Sequence, residues 1–214
     1  MGVRKVKLVV GEIYHILNRG VDKRDIFMNQ KDLERFFECM QTFNSTELTG
    51  SMYEQNFLKD KTKNKPLVNF VTYNIQTNHF HFILEQVAEN GISKFMKRLQ
   101  GGYSWYFNKK EKRSGSLFQG PFKSHHIDSN EYLLHASVYV NLNDKQKSSL
   151  GDQVAKLGKS SWNEYIDAKS PLNICTKKDI ILKQFRSIKE YEEFALSSLE
   201  NIKINKEKYK EFEA

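Results

Sequence analysis

The chain has 214 residues, of which 39% are hydrophobic and 13% aromatic, so it can build one sizeable core, alone or with an appendage. Its 34 Lys and Arg against 26 Asp and Glu give a formal charge of +8, which favours a polyanionic partner, although a soluble protein that is basic by chance stays open. With only two cysteines, Cys39 and Cys175, the chain has neither a disulfide framework nor a cysteine zinc site, which favours a reducing cytoplasm. It contains no run of about 18 apolar residues, so we expect a cytoplasmic protein that is neither secreted nor membrane-spanning.

The N-terminal part predicts two strands with a helix between them. Residues 9–18 alternate in polarity and predict a strand, which ends in a turn at Gly20. Apolar positions recur at three and four residues over 29–44 and predict an amphipathic helix. Residues 44–66 are polar and rich in lysine, which predicts a long solvated connection, and 67–77 predict a second strand.

The next strand carries two histidines. Successive side chains of a strand point to opposite faces, so His79 and His81 project together while the apolar residues that alternate with them enter a core. Neutral imidazole is the commonest metal ligand, and ligands on a regular element are held more precisely than ligands on a loop. The pair therefore indicates a candidate metal site, with two histidines on a solvated strand face as the open alternative.

Two longer helices follow. Residues 92–113 combine an apolar stripe with basic side chains, and the pair Gly101-Gly102 predicts a kink or a close packing contact within this helix. A turn-rich crossing at 117–123 leads into a short strand and then into a third helix over 130–143.

The composition changes after the third helix, and we divide the chain there. Residues 1–145 are expected to form the main domain, and 146–214 a C-terminal extension of short helices that ends in a solvated helix or a frayed tail. Strands that alternate with helices in a chain of this length predict an α+β fold, in which helices cover a small antiparallel sheet.

Tyr139 and Asn143 lie four residues apart in the third helix, so their side chains sit one above the other on one face. Alone, such a pair is more often packing than chemistry. Together with the imidazole pair and the excess positive charge, the pair indicates a functional site.

Five segments of the chain match one known family, in the right order. They are Tyr14-His15-Ile16-Leu17-Asn18-Arg19-Gly20 followed by Ile26-Phe27, then Asn78-His79-Phe80-His81, Leu117-Phe118-Gln119-Gly120-Pro121-Phe122-Lys123, Tyr132-Leu133-Leu134 and Tyr139-Val140-Asn141-Leu142-Asn143. Over residues 9–143 they resemble the single-tyrosine HUH transposases, and more closely their REP-associated tyrosine transposase branch. Trp162 and Tyr165 resemble the C-terminal extension of that branch.

This resemblance implies a ferredoxin-like antiparallel sheet covered by helices, with a helical C-terminal extension. It implies that His79 and His81 ligate Mg²⁺ or Mn²⁺, that Asn143 completes the metal shell, and that Tyr139 is the nucleophile. The implied reaction is the nicking and rejoining of single-stranded DNA at hairpin-forming repeats through a covalent 5′-phosphotyrosine. The implied transposase acts as a monomer or a homodimer.

Several positions depart from the pattern of this family. Val138 stands where an Arg usually precedes the tyrosine, Pro121 replaces the Arg of a Gly-Arg-Phe-Lys pattern, and Asp144 replaces a Pro. None of these changes removes a proposed ligand or nucleophile, but the missing cations predict a weaker hold on phosphate or a divergent substrate. Thr77 replaces a usual Pro before Asn78, and we interpret this change as structural.

Other tyrosines and histidines compete for the same roles, namely Tyr103, Tyr106, His15, His125, His126 and His135. The two tyrosines lie in a basic helix after the histidine strand, where core packing or base stacking is the plainer interpretation. The histidines are expected to be ordinary sheet or loop residues, although His15 can line the metal-bearing face and His135 can bond the phenol.

Basic side chains are expected to hold the DNA through phosphate contacts that do not depend on base sequence and that weaken with salt. These residues are Arg19, Lys23, Arg24, Lys97, Arg98, Arg113 and Lys123. Trp105, Phe118 and Phe122 can stack unpaired bases. For each basic residue alone, a solvated surface charge is the open alternative.

Two functions of other classes stay open. A catalytically silent descendant that only binds hairpin DNA or RNA predicts binding that survives loss of the metal and of Tyr139. A metal-dependent nuclease in which water attacks predicts cleavage without a covalent protein adduct.

Overall fold

The histidine strand lies at the centre of one antiparallel sheet. The computed structural model describes residues 7–47, 65–142, 159–167 and 172–204. The strands within these ranges are β1 (Ile13–Arg19), β2 (Val68–Ile75), β3 (His79–Gln86), β4 (Lys123–Ile127) and β5 (Lys159–Ser160). They lie side by side in the order β4-β1-β3-β2-β5.

Helices cover both faces of this sheet. Those described are α1 (Gln30–Thr42), α2 (Gly91–Lys110), α3 (Asn130–Leu142), α4 (Trp162–Ile166), α5 (Asp179–Leu182) and α6 (Ile188–Ile204), and a short 3₁₀ turn (Val21–Lys23) follows β1. The chain order β1-α1-β2-β3-α2-β4, with its first four strands arranged 4-1-3-2, is the split βαβ arrangement of ferredoxin-like domains. The α+β prediction is confirmed.

One face of the sheet forms the main apolar core with α1 and α2. Phe80 and Phe82 of β3 are fully buried, and their ring centroids lie 5.6 Å and 6.4 Å from that of Phe36 in α1. Burial of each such side chain stabilises the fold by about 2 kcal/mol. Because side chains alternate along a strand, His79 and His81 point to the opposite face, which α3 covers.

The two helices on the core face approach each other closely at a glycine. α2 runs without interruption through Gly101 and Gly102. A Cβ on Gly102 would lie 2.5 Å from Cε2 of Phe43, at the end of α1, whereas a Cβ on Gly101 would meet nothing within 4 Å. Of the two expectations for this glycine pair, a kink or a close contact, the structure has the close contact.

The C-terminal segment packs against the sheet and against α3. β5 adds to the edge of β2, an element too short to predict from sequence pattern. The buried Glu164 of α4 accepts a hydrogen bond from the Tyr73 hydroxyl at 2.8 Å. The Asn141 amide of α3 donates to Tyr191 Oη of α6 at 3.0 Å. These contacts join the C-terminal segment to β2 and to α3.

Several predictions fall outside the described residues. They concern most of the 44–66 connection, Asn143, the domain boundary at 145/146 and the end of the chain after residue 204. The division into two domains therefore stays a prediction. Across the described ranges, no helix combines the length and the apolar character needed to cross a bilayer.

Candidate active site

A cavity of about 310 Å³ lies on the α3 side of the sheet. Its lining comes from β1 and the turn after it, from the start of β3, from the crossing segment before β4, and from α3. The residues that line it are Leu17, Asn18, Arg19, Lys23, Asn78, His79, His81, Gln119, Pro121, Lys123 and Tyr139. Segments far apart in sequence thus meet at the histidine strand.

α3 places Tyr139 against this strand. The Tyr139 and His81 rings meet edge to face, with centroids 5.8 Å apart and planes at 82°. The His79 ring lies 5.1 Å from that of His81, also nearly perpendicular to it. The side chains of Tyr139 and His81 are only 3% and 2% exposed, and both line the cavity. A phenol and two imidazoles therefore share one partly enclosed site.

Asn78 orients His79. The Asn78 amide nitrogen donates to the Lys23 carbonyl oxygen at 3.2 Å, which fixes the amide so that Oδ1 faces the His79 ring. Asn78 Oδ1 lies 2.6 Å from His79 Nδ1 and has no proton to give, so His79 Nδ1 is the donor. In the neutral ring the lone pair that can bind a metal is then on Nε2. In the sequence Asn78 was noted only as part of a segment that matches the family, and its contact with His79 was not predicted.

His15 contacts the second histidine from the neighbouring strand. It lies in β1, is fully buried, and its Nε2 is 3.0 Å from His81 Nδ1. Burial and, to a smaller extent, the nearby His125 together lower the pKa of His15 to about 3. His15 is therefore neutral near pH 7, and it lies on the sheet face that carries His79 and His81.

Three predicted phosphate ligands line the cavity. Arg19 at the end of β1 donates from Nε to Gln119 Oε1 at 2.5 Å, and Lys123 begins β4. Lys23 has a left-handed backbone with φ of 60°, which is uncommon for a residue other than glycine. Its carbonyl holds Asn78, so this turn is fixed to the histidine strand. Arg24 follows directly and donates from Nε to the backbone of the same turn.

Two of the positions that depart from the family pattern, Pro121 and Val138, lie within the described residues near this site. Pro121 lines the cavity where an arginine was expected. Val138, one residue before Tyr139, is fully buried in the core. Neither position supplies a cation, so the positive charge that lines the cavity comes from Arg19, Lys23 and Lys123.

The other proposed DNA ligands lie on α2 or just after it, on the far side of the sheet. Lys97 is exposed on α2. Arg98 donates from Nη1 to the Ser45 carbonyl oxygen, and Arg113 donates to Asn108 Oδ1. These three cations do not line the cavity, and their role in DNA binding stays a prediction.

The remaining histidines have neighbours of their own. The His125 ring centroid lies 6.2 Å from that of His15, His126 Nε2 is 2.8 Å from Glu12 Oε2, and the His135 ring lies 6.2 Å from that of Phe194. His15 is in direct contact with the His81 ring, which lines the cavity.

The competing tyrosines lie in the opposite layer. The Tyr103 hydroxyl donates to the Ile26 carbonyl oxygen at 2.5 Å, and the Tyr106 hydroxyl donates to Asp32 Oδ1 at 2.9 Å. Burial raises the pKa of both phenols, and the Asp32 carboxylate raises them further. The sheet separates both hydroxyls from the cavity, so this site does not bring either of them to the histidines.

The histidine pair has suitable donor chemistry for a divalent cation. Within the described residues, no group of three or more His, Cys, Asp or Glu side chains is arranged to hold a metal ion. His79 and His81 offer two imidazoles from a rigid strand, and the third predicted ligand, Asn143, lies outside those residues. Two imidazoles beside a cavity fit a catalytic cation, whose remaining positions are kept for substrate and water oxygens.

Comparison with known proteins agrees with this arrangement. A family model described as "Transposase IS200 like" matches residues 9–143, which contain the histidine strand and Tyr139. The chain belongs to the IS200-like transposase family. The resemblance inferred from the five sequence segments is thereby confirmed.

Among solved structures, this IS200-like transposase is similar to a REP-associated tyrosine transposase bound to a REP hairpin. The match has a TM-score of 0.53 and 12% sequence identity, and it covers 84% of this chain and 93% of that chain. At this identity the likeness establishes a shared fold. A search of curated proteins found no match.

Proposed function

We propose that this IS200-like transposase nicks and rejoins single-stranded DNA in a divalent-metal-dependent reaction, with Tyr139 as the nucleophile. The observation that supports this most directly is the contact of the Tyr139 ring with His81 at the cavity that His79 also lines. Arg19 and Lys123 add positive charge to the same cavity, which suits a phosphodiester.

Tyr139 supplies the attacking atom. Its phenol oxygen forms a bond to phosphorus as the bond from phosphorus to the 3′ oxygen breaks, which gives a 5′-phosphotyrosine and a free 3′-hydroxyl. The phenol loses its proton and the departing 3′ oxygen gains one. One phosphoester bond replaces another, so a 3′-hydroxyl can attack the phosphotyrosine and rejoin the strand without ATP.

The surrounding side chains hold the phosphate and the nucleophile in place. Arg19, Lys23 and Lys123 offer donors to the phosphate oxygens, and the packing of α3 on the sheet fixes the Tyr139 ring. His79 and His81, with Asn143, would hold Mg²⁺ or Mn²⁺, which when bound neutralises charge on the phosphate and favours the phenolate. A phenol with an ordinary pKa of about 10 needs such help at neutral pH.

The substrate we propose is single-stranded DNA next to a hairpin. The solved structure with the same fold is bound to a REP hairpin, and the net charge of +8 suits a nucleic acid. Lys97, Arg98 and Arg113, with the exposed Trp105 of α2, are proposed as contacts to DNA that extends beyond the cavity. The protein acts as a monomer or as a homodimer.

The proposal is tested by incubating labelled single-stranded hairpin DNA with wild type, Tyr139→Phe and Tyr106→Phe, each with Mn²⁺ and with EDTA. Products are resolved on denaturing gels that retain covalent protein–DNA adducts. We expect an adduct and a free 3′-hydroxyl fragment with wild type and with Tyr106→Phe in Mn²⁺. Both products should be lost in Tyr139→Phe and in EDTA.

Each other outcome points to a different function. Cleavage without an adduct in both wild type and Tyr139→Phe identifies a nuclease that uses water. Hairpin binding with no cleavage under any condition identifies a silent binding protein. An adduct that persists in Tyr139→Phe overturns the assignment of the nucleophile.

A further inference from the structure

The second metal ligand, His81, has its own partner in a buried ring of β1. His15 Nε2 lies 3.0 Å from His81 Nδ1, and the two ring planes differ by only 20°. In the β1–β3 register His15 stands opposite Ile83, so it reaches His81 diagonally across two central strands. Both rings are almost fully buried, 0% and 2% exposed, so bulk water has little access to the contact.

This contact decides which nitrogen of His81 can bind a metal. His81 Nδ1 faces His15, so a cation must be met by His81 Nε2. A neutral ring with its lone pair on Nε2 carries its proton on Nδ1, and that proton then points at His15 Nε2. If His15 instead donated from Nε2, His81 would hold its proton on Nε2 and could not act as a ligand.

We infer that His15 is a positioning residue whose Nε2 accepts the Nδ1 proton of His81 and so keeps Nε2 of His81 ready for the cation. The inference rests on the proposed function, because it takes His81 as a metal ligand. Asn78 does the same for His79 through its Oδ1. The two ligands are thus oriented by two different partners. Asn78 directly precedes β3, and His15 lies on the neighbouring strand β1.

A neutral acceptor suits this particular cavity. Metal-binding histidines commonly donate to a carboxylate, a carbonyl oxygen or water. Among the described residues that line this cavity there is no carboxylate, and Arg19, Lys23 and Lys123 are cationic. A carboxylate at position 15 would attract those cations away from a phosphate. An imidazole orients His81 without adding negative charge.

The first test reads the proton position directly. Protein labelled with ¹⁵N in histidine, free of metal, is examined by long-range ¹H–¹⁵N spectra, with His15→Leu and His81→Gln used to assign the two rings. We expect Nδ1 of His81 to be the protonated nitrogen in wild type. A His81 ring protonated on Nε2 overturns the inference.

The second test measures Mn²⁺ affinity by titration calorimetry. His15→Leu removes the acceptor at similar volume and should weaken Mn²⁺ binding by about 10-fold to 100-fold, the range found when such partners of metal ligands are lost. His15→Gln keeps an oxygen acceptor and should recover most of the affinity. His126→Gln, on the other side of β4, should bind like wild type. Thermal melts confirm that each variant is folded.

The outcomes separate this inference from the proposed function. Equal Mn²⁺ affinity of His15→Leu and wild type overturns the positioning role. Equal affinity of wild type and His79→Ala means that the ion does not bind at the histidine pair, which overturns the proposed metal site. In that case the ¹H–¹⁵N spectra, which show which nitrogen of His81 carries the proton, still test whether His15 accepts that proton.

Discussion

Two neighbouring histidines on one strand are oriented by chemically different partners. Asn78 offers His79 only an acceptor, because its amide nitrogen is held by the Lys23 carbonyl oxygen. His15 can act towards His81 as a donor or as an acceptor. The orientation of His79 therefore follows from hydrogen bonds alone, whereas that of His81 depends on which nitrogen of His15 carries the proton.

Replacing Asn78 should test the orientation of His79 without changing the contact between His15 and His81. Asn78→Leu removes the acceptor for His79 Nδ1 and should lower the nicking rate about 10-fold to 100-fold, the usual cost of losing a partner of a metal ligand. Asn78→Gln keeps a neutral amide oxygen as an acceptor and should retain more of the rate than Asn78→Leu. Initial rates on labelled DNA in Mn²⁺ measure both. A fully active Asn78→Leu would contradict the orienting role.

At the scale of single elements, the sequence pattern predicted which face of a strand each side chain occupies. It did not predict which residues of neighbouring strands contact each other. The alternation around His79 and His81 correctly assigned those side chains to one face and the phenylalanines to the other. The His15–His81 contact joins residues 66 positions apart, and it depends on strand register, which periodicity does not specify. β5 has two residues and is defined only by its pairing with β2.

α2 offers a matched test of close packing. Gly102→Ala places a Cβ 2.5 Å from the Phe43 ring and should lower the free energy of unfolding by about 1–3 kcal/mol through overpacking. Gly101→Ala meets nothing within 4 Å and should raise it by about 1 kcal/mol, because alanine favours the helix. Urea unfolding monitored by circular dichroism measures both. Equal effects of the two changes would contradict the packing described for α1 and α2.

At the scale of the whole molecule, the basic residues divide between two faces of the sheet. Arg19, Lys23 and Lys123 line the cavity, whereas Lys97 lies on α2 on the far side. Sequence alone predicted both groups as DNA ligands, because charge can be counted without knowing which face a helix covers. The fold and the family could be recognised from sequence, but this separation required the sheet to be assembled.

The cavity cations should contribute to DNA affinity in a salt-dependent way. Lys123→Gln should weaken binding of single-stranded hairpin DNA and reduce the slope of log K against log salt by about 1, because one phosphate contact is lost. Lys183→Gln, at an exposed lysine that pairs with Asp179 on α5, should leave the slope unchanged. Fluorescence anisotropy at several salt concentrations gives both slopes. Identical slopes for Lys123→Gln and wild type would remove Lys123 from the phosphate site.

In the proposed reaction, a phenol on α3 attacks a phosphodiester beside the histidine pair of β3. The most direct measurement is to trap the reaction of wild type with single-stranded hairpin DNA in Mn²⁺, digest the protein and sequence the nucleotide-bearing peptide by mass spectrometry. We predict a 5′-linked nucleotide on Tyr139. A nucleotide on Tyr103 or Tyr106, which lie across the sheet from the cavity, or cleavage with no modified peptide, would show that Tyr139 is not the nucleophile.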